Sequence, residues 1–238
     1  MNTHWIHPRT VQALLFDVDG TLAETELEGH LPAFNEAFER LGIPWLWSAE
    51  QYSGLLKVTG GLERMRAHAQ ALGALEWLSV DGEARLREAH RLKNTIFAER
   101  MRLGLVSLRP GIASLIEQAV GAGMAWGVVT TTSRANWDAL WHCCMEGLGL
   151  PGPELVVCGE DVHRKKPDPE AYLLAAHRLH LQTSACLAIE DSPNGLLAAT
   201  AAGMPCIVVS SVFFQAGPWP GATAVLSSPL ELQVGVPA

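Results

Sequence analysis

The stretch "ALLFDVDGTLAETE", residues 13–26, decides the fold. An apolar run stops abruptly at two carboxylates, Asp17 and Asp19, and glycine and threonine follow at once. Near-continuous hydrophobicity over a few residues suits a strand covered on both faces, as in a parallel sheet. Four later runs have the same form: "AWGVVTTTS" (125–133), "ELVVCGED" (154–161), "ACLAIEDS" (185–192) and "PCIVVSS" (205–211). Helix-like stretches separate them. "RPGIASLIEQAVGAG" sets Pro110 near a first turn and ends in glycine, and "PDPEAYLLAAHRLHL" and "SPNGLLAATAAGM" follow the same logic. Strand alternating with helix predicts an α/β fold with a doubly wound parallel sheet.

Residues 27 to about 103 carry almost no strand signal. "GHLPAFNEAFERLG" has apolar residues at helical spacing, and Ser48 with Gln51 forms a capping-box pattern ahead of "QYSGLLKVTGG". "LERMRAHAQALG" and "EARLREAHRLKNTIFAERMRLG" complete a helical set. The expected division is therefore an α/β catalytic core of residues 1–24 and 105–238 with an inserted all-helical cap of residues 25–104. Hinges are expected near 23–27 and 103–110. "FFQAGPWPGATA" (213–224) reads as a turn-rich loop.

Composition narrows the function classes. The chain has 238 residues, 48% of them hydrophobic, and a formal charge of −8. That length and apolar content suit one large domain or one domain with an insertion. No basic stripe is present, which argues against a nucleic-acid surface. No apolar run reaches the ~18 residues of a membrane span. The opening "MNTHWIHPRT" lacks a signal-like apolar stretch, so a soluble, cytoplasmic, monomeric protein is expected. The five cysteines are odd in number and show no CxxC spacing; buried free thiols are expected. The eight tryptophans are expected in cores or at the domain interface.

In a parallel α/β sheet, ligands gather outside the carboxyl ends of the strands. The polar residues at those ends can be collected: Asp17 and Asp19; Thr130, Thr131, Thr132 and Ser133; Lys165 and Lys166 of "HRKKPDP"; and Glu190 with Asp191. Asp17 and Asp19 are two apart, so on an extended backbone both side chains face one way. A like-charged pair about 4 Å apart costs about 4 kcal/mol at an effective dielectric of ~20. A hard divalent cation removes that cost, and magnesium takes oxygen ligands, waters and a substrate phosphate. Asp17, Asp19, Glu190 and Asp191 are therefore candidate metal-site residues for Mg²⁺. The cation and Lys166 can neutralise a phosphate, and Thr131 and amides after Gly20 can donate to its oxygens. Asp17 is placed to attack phosphorus, and Asp19 to protonate the leaving alkoxide and then activate water. Taken singly, each signal has an ordinary explanation; their conjunction at four strand ends does not.

"DVDGT", "TTTS", "KKPDP" and "IEDSPNGLLAATAAG" together resemble the four sequential motifs of the haloacid dehalogenase (HAD) superfamily. The resemblance covers nearly the whole chain, including the position of the helical insertion. It implies Asp17 as nucleophile, Asp19 as general acid and base, and Thr131 and Lys166 as phosphate binders. It implies Asp191 as a metal ligand beside Asp17 and the Asp19 carbonyl, with Glu190 nearby. The second aspartate implies a phosphatase or phosphomutase rather than a dehalogenase. "TLAETE", "GHLPAFNEAF", "LLKVTGG" and "SLRPG" are most similar to CbbY-type proteins, which implies a phosphorylated sugar substrate such as xylulose-1,5-bisphosphate. Glu24 and His30 match positions that face the substrate in that subgroup. Leu62 departs from it, standing where the cap loop usually carries lysine. Either Arg64 or Lys93 compensates, or the substrate carries a single phosphate. Thr132 and Arg134 are further candidate substrate contacts. A β-phosphoglucomutase-like phosphomutase is the alternative activity. A non-catalytic phospho-ligand binder would have lost Asp17 or Asp19, and both are present.

Overall fold

A computed structural model of the protein describes residues 3–236. Its strands are β1 (His4–Ile6), β2 (Ala13–Phe16), β3 (Ala125–Val129), β4 (Leu155–Val157), β5 (Cys186–Glu190), β6 (Cys206–Val209), β7 (Ala224–Leu226) and β8 (Leu232–Val234). Six form one sheet in the order β4-β3-β2-β5-β6-β7, with every pairing parallel. Sequence order reverses at β2, which pairs with β3 on one side and β5 on the other. The crevice above such a switch point is where doubly wound sheets bind ligands. β1 and β8 form a separate parallel ribbon.

Alternation along β2 explains the continuous apolar run. Leu14 and Phe16 face one core with Trp126, Val128 and Ile189, closed by α5 (Ile112–Gly121) and α6 (Arg134–Leu140). Ala13 and Leu15 face the other, closed by α7 (Glu170–Arg178) and α8 (Pro193–Ala201). Both faces of the strand are therefore dry.

Residues 25–104 supply four α-helices: α1 (Leu31–Arg40), α2 (Ala49–Leu55), α3 (Gly61–Ala71) and α4 (Val80–Arg102). They enclose a cluster of their own around Phe34, Phe38, Trp45, Trp47, Tyr52 and Met65. The capping box expected at Ser48 and Gln51 forms. α4 reaches beyond this cluster, since its Ile96, Phe97 and Met101 join the core beneath the sheet. The two chain crossings are zipped together by a bridge between Ala23 and Leu108 and a bond from the Arg109 N–H to the Leu22 carbonyl, 2.8 Å. No helix among the described residues is long and apolar enough to cross a membrane. Residues 1–2 and 237–238, the outer ends of the expected catalytic core, lie outside the described residues.

Several expectations need adjustment. β2 stops at Phe16, so Asp17 and Asp19 sit on the turn after it rather than on one face of an extended strand. α5 begins at Ile112 behind Gly111, whose φ of +94° suits glycine; Pro110 stands outside the first turn. Cys158, Cys186 and Cys206 are buried as expected, but Cys144 is half-buried and Cys143 exposed. Trp45, Trp47 and Trp77 pack in the cap and Trp126 and Trp137 in the core, whereas Trp5 is exposed.

Candidate active site

The crevice above β2 holds a compact charge network. The Lys166 ammonium donates to Asp17 Oδ1 at 2.7 Å, to Glu190 Oε1 at 2.5 Å and to the Val129 carbonyl at 2.7 Å. These partners come from the ends of β2, β5 and β3, so one lysine ties three strand tips together. Tyr172 also donates its hydroxyl to Glu190. Burial lowers the Lys166 ammonium, but the Asp17 and Glu190 charges outweigh it and raise the group. Lys165, its neighbour, points elsewhere and pairs with Glu63 of α3 at 2.7 Å.

One ammonium does not balance three carboxylates. Oxygens of Asp17, Glu190 and Asp191 all lie within 4.8 Å of one another, and all three residues are buried. Glu190 Oε2 is buried with no hydrogen-bond partner. Burial, reinforced by Glu190 and Asp19 and opposed by Lys166, pushes the Asp17 carboxyl up to about 8. Burial and the Asp17 charge raise Asp191 well above its ordinary value. An orphaned oxygen inside an all-oxygen, over-negative cluster fits a hard dication, and magnesium in particular. Gly20 makes room for this cluster. A Cβ at Gly20 would lie 2.1 Å from Asp191 Oδ2, and its φ is +87°.

Asp19 has a different set of partners. Its carboxylate is not part of the acidic group; Oδ1 accepts from Thr25 Oγ1 at 2.5 Å and contacts His30 Nε2 at 3.0 Å. The Lys93 ammonium donates to His30 Nδ1 at 2.8 Å, so Nε2 carries the ring proton and donates to Asp19. His30 is stacked on Phe97 with centroids 4.1 Å apart, which fixes the ring. Burial raises the Asp19 carboxyl, but His30, Thr25 and Lys93 outweigh it and hold the group down at about 2. Burial, opposed by Glu26 and Asp19, pushes Lys93 down to about 8.

Two connected chambers lie over these groups. The inner one, about 60 Å³, is lined by Asp17, Asp19, Thr131, Lys166 and Asp191 on the core side. Arg64, Glu26 and Thr59 close it from the cap side. The outer one, about 210 Å³, reaches Leu62, His30, Lys93, Thr131, Thr132 and Lys165. Arg64 faces both chambers. It donates to the Tyr52 hydroxyl at 2.6 Å, and its Nε has no partner.

Two expected contacts lie elsewhere. Glu24 lines neither chamber; it pairs with Arg109 at 3.3 Å and accepts from the Val212 N–H at 3.4 Å. Arg134 turns from the outer chamber to Asp161 at 2.9 Å, and its backbone N–H bonds Glu160. Sequence reasoning missed Glu26, Tyr52, Asn136 and Asn194. Asn194 bonds Thr59 Oγ1 at 3.1 Å and so joins cap to core, and its one signal was its place in "SPNG".

A parallel α/β sheet with this acid–lysine network at its switch point defines a class. A family model for haloacid dehalogenase-like hydrolases matches residues 11–203, and the chain belongs to that family. It is a phosphoric monoester hydrolase. Within the family it is 42% identical to protein CbbY of Rhodobacter capsulatus over 214 residues, 88% of this chain and 92% of that one. It is 43% identical to plasmid-borne protein CbbY of Cupriavidus necator, over 91% of this chain and 85% of the relative. Among solved structures it matches a mutant of CbbY from Rhodobacter sphaeroides in complex with xylulose-(1,5)bisphosphate. There the TM-score is 0.84 and the identity 39%, covering 94% of this chain and 97% of that one.

Proposed function

We propose that the chain hydrolyses a phosphorylated sugar, a mono- or bisphosphate, through a phosphoryl group carried on Asp17. The observation that carries this reading is the separation of the two aspartates. Asp17 sits against Lys166 and the acidic cluster, while Asp19 sits on hydrogen-bond donors from the cap crossing and cap. In the first half-reaction an Asp17 carboxylate oxygen bonds to phosphorus and the bond from phosphorus to the sugar oxygen breaks. Asp19 passes a proton to that oxygen. In the second, Asp19 takes a proton from water as the water oxygen attacks phosphorus, and Asp17 and inorganic phosphate are released. Lys166 and Thr131 hold the transferring group. The hydrogen bonds from His30 and Thr25 keep Asp19 ionised, which suits its role as a base. To act as an acid, the carboxyl must leave them for the sugar oxygen, and burial then raises it.

Asp17, Glu190 and Asp191 would hold magnesium, which when bound neutralises the acidic cluster and the phosphate charge. Residues 25–104 would act as a lid that admits the sugar and excludes water. His30, Arg64, Lys93 and Thr132 would face the sugar or its second phosphate. Similarity to CbbY, whose structure holds a sugar bisphosphate, supports this substrate class.

Release of inorganic phosphate from a panel of sugar monophosphates and bisphosphates tests the reading. Turnover should appear with Mg²⁺, vanish with excess EDTA and return on adding Mg²⁺. Indifference to chelation, or inactivity across the panel, defeats it. Conversion of β-glucose 1-phosphate in the presence of glucose 1,6-bisphosphate, without net phosphate release, would favour a mutase instead.

A further inference from the structure

The loop after β6 makes contacts that the proposed chemistry does not use. We propose that residues 210–214 couple the position of the cap to the Asp191 carboxylate, with Ser211 and Phe213 as positioning residues. This rests on the proposed metal role of Asp191. Ser211 is buried, and its side chain is among the groups that lower the Asp191 carboxyl. The two are also neighbours by packing, since a Cβ at Gly20 would meet both Asp191 Oδ2 and, at 3.2 Å, Ser211 Cβ.

The residues on either side of Ser211 are tied to elements that belong to the cap or lead into it. The Ser210 carbonyl accepts from the Arg109 guanidinium at 2.5 Å, and the Val212 N–H donates to Glu24. Glu24 and Arg109 lie on the two chain crossings and pair with each other at 3.3 Å. Arg109 also donates to the Gly20 carbonyl, on the turn that carries Asp17 and Asp19. Beyond Val212, Phe213 and Phe214 pack against the apolar cluster of the cap, although they belong to a core loop. The Phe213 ring lies edge-on to Tyr52, centroids 5.7 Å apart. Tyr52 bonds Glu26 and Arg64, which line the inner chamber.

Ser211 is thus held between two attachments that both move when the cap moves. Swinging the cap outward uncovers the Phe213 ring and shifts the crossings, and either change pulls on the segment that orients Asp191. A closed cap therefore fixes Asp191 for metal binding. By reciprocity, metal binding favours the closed cap.

Magnesium titration of the full-length chain by calorimetry, without substrate, tests the coupling. Phe213→Ala should raise the Mg²⁺ dissociation constant at least fivefold, although its side chain lines neither chamber. Phe213→Leu, which keeps an apolar seat, should stay within twofold of wild type. Ser211→Ala should weaken binding similarly. The double variant should be no weaker than the weaker single, because both changes cut one connection. In steady state, Phe213→Ala should lower kcat at saturating substrate, and added Mg²⁺ should recover it. A Phe213→Ala constant within twofold of wild type, or singles whose effects multiply in the double, overturns the coupling and leaves the hydrolase reading intact. A wild-type chain that binds no Mg²⁺ defeats the metal reading and this inference with it.

Discussion

At the scale of single residues, the proposed mechanism rests on Asp17 and Lys166, each of which is held by several partners. Lys166 has three acceptors within 2.7 Å, and Asp17 shares the crevice with two further buried acids. Asp17→Asn keeps shape and a hydrogen-bond acceptor but removes the nucleophilic oxygen. Phosphate release should fall by roughly a thousandfold or more. Thermal unfolding should move little, or upward, because a neutral amide replaces an acid whose ionisation burial and its acidic neighbours oppose. Retention of more than a few per cent of activity would remove Asp17 from the nucleophile role. Leu62 makes the second case. It is an apolar residue facing the outer chamber, beside the Glu63–Lys165 pair. Leu62→Lys adds an unpaired cation there, so the ratio of kcat/KM for a bisphosphate over its monophosphate should rise about tenfold, near 1.4 kcal/mol. An unchanged ratio places the reading of the second phosphate on other side chains. At this scale the sequence showed the strand-tip residues well: Asp17, Thr131, Lys166 and Asp191 all line the inner chamber. It did not show that Glu24 and Arg134 pair with Arg109 and Asp161, partners distant in the chain that no local pattern reveals.

Helix α4 illustrates what is decided at the scale of elements. It presents His90 and Lys93 to the outer chamber one turn apart, in a partly dry setting. Burial, then the Lys93 charge, pushes His90 down to about 4 from an ordinary 6.5. Between those values the unfolded chain binds the proton and the folded chain does not. Stability is therefore lost as pH falls from 6.5 towards 4. His90→Gln removes that dependence. The difference in unfolding free energy between wild type and variant should change by roughly 2 kcal/mol between pH 7 and pH 4.5. Parallel pH profiles would show that His90 is charged in the fold. The elements themselves were legible where the signal was long. Each of the sheet's inner strands is an apolar run buried on both faces, and Ser48 and Gln51 cap α2 as their spacing implies. β1, β7 and β8 were not legible. Each is three residues long, and they gain strand geometry only by pairing across the fold, β1 with β8 and β7 with β6.

Across the whole molecule, the cap meets the core through a few polar ties and one shared helix. Glu63 bonds Lys165, Asn194 bonds Thr59, and Asn136 bonds Asn94 at 3.3 Å, while α4 runs from the cap cluster into the core beneath the sheet. Polar ties of this kind contribute little individually, so the closed arrangement depends on what fills the crevice between the two parts. Without a cation, three buried carboxylates share one ammonium and oppose closure from within. A dication bound to the folded chain and not to the unfolded one stabilises by about 2.7 kcal/mol at a hundredfold excess over its dissociation constant. For a chain of this length each kcal/mol corresponds to about 2–4 °C. Saturating Mg²⁺ should therefore raise the thermal midpoint of the wild-type chain by about 5–10 °C, and EDTA should reverse the rise. Asp191→Asn leaves the phosphate-side groups in place but removes one charged oxygen from the cluster, and its Mg²⁺-dependent rise should shrink to less than half. An equal rise in wild type and variant would show that the cation acts elsewhere on the −8 surface. No rise in either would mean that Lys166 alone balances the crevice, and the over-negative reading of the three carboxylates would fall.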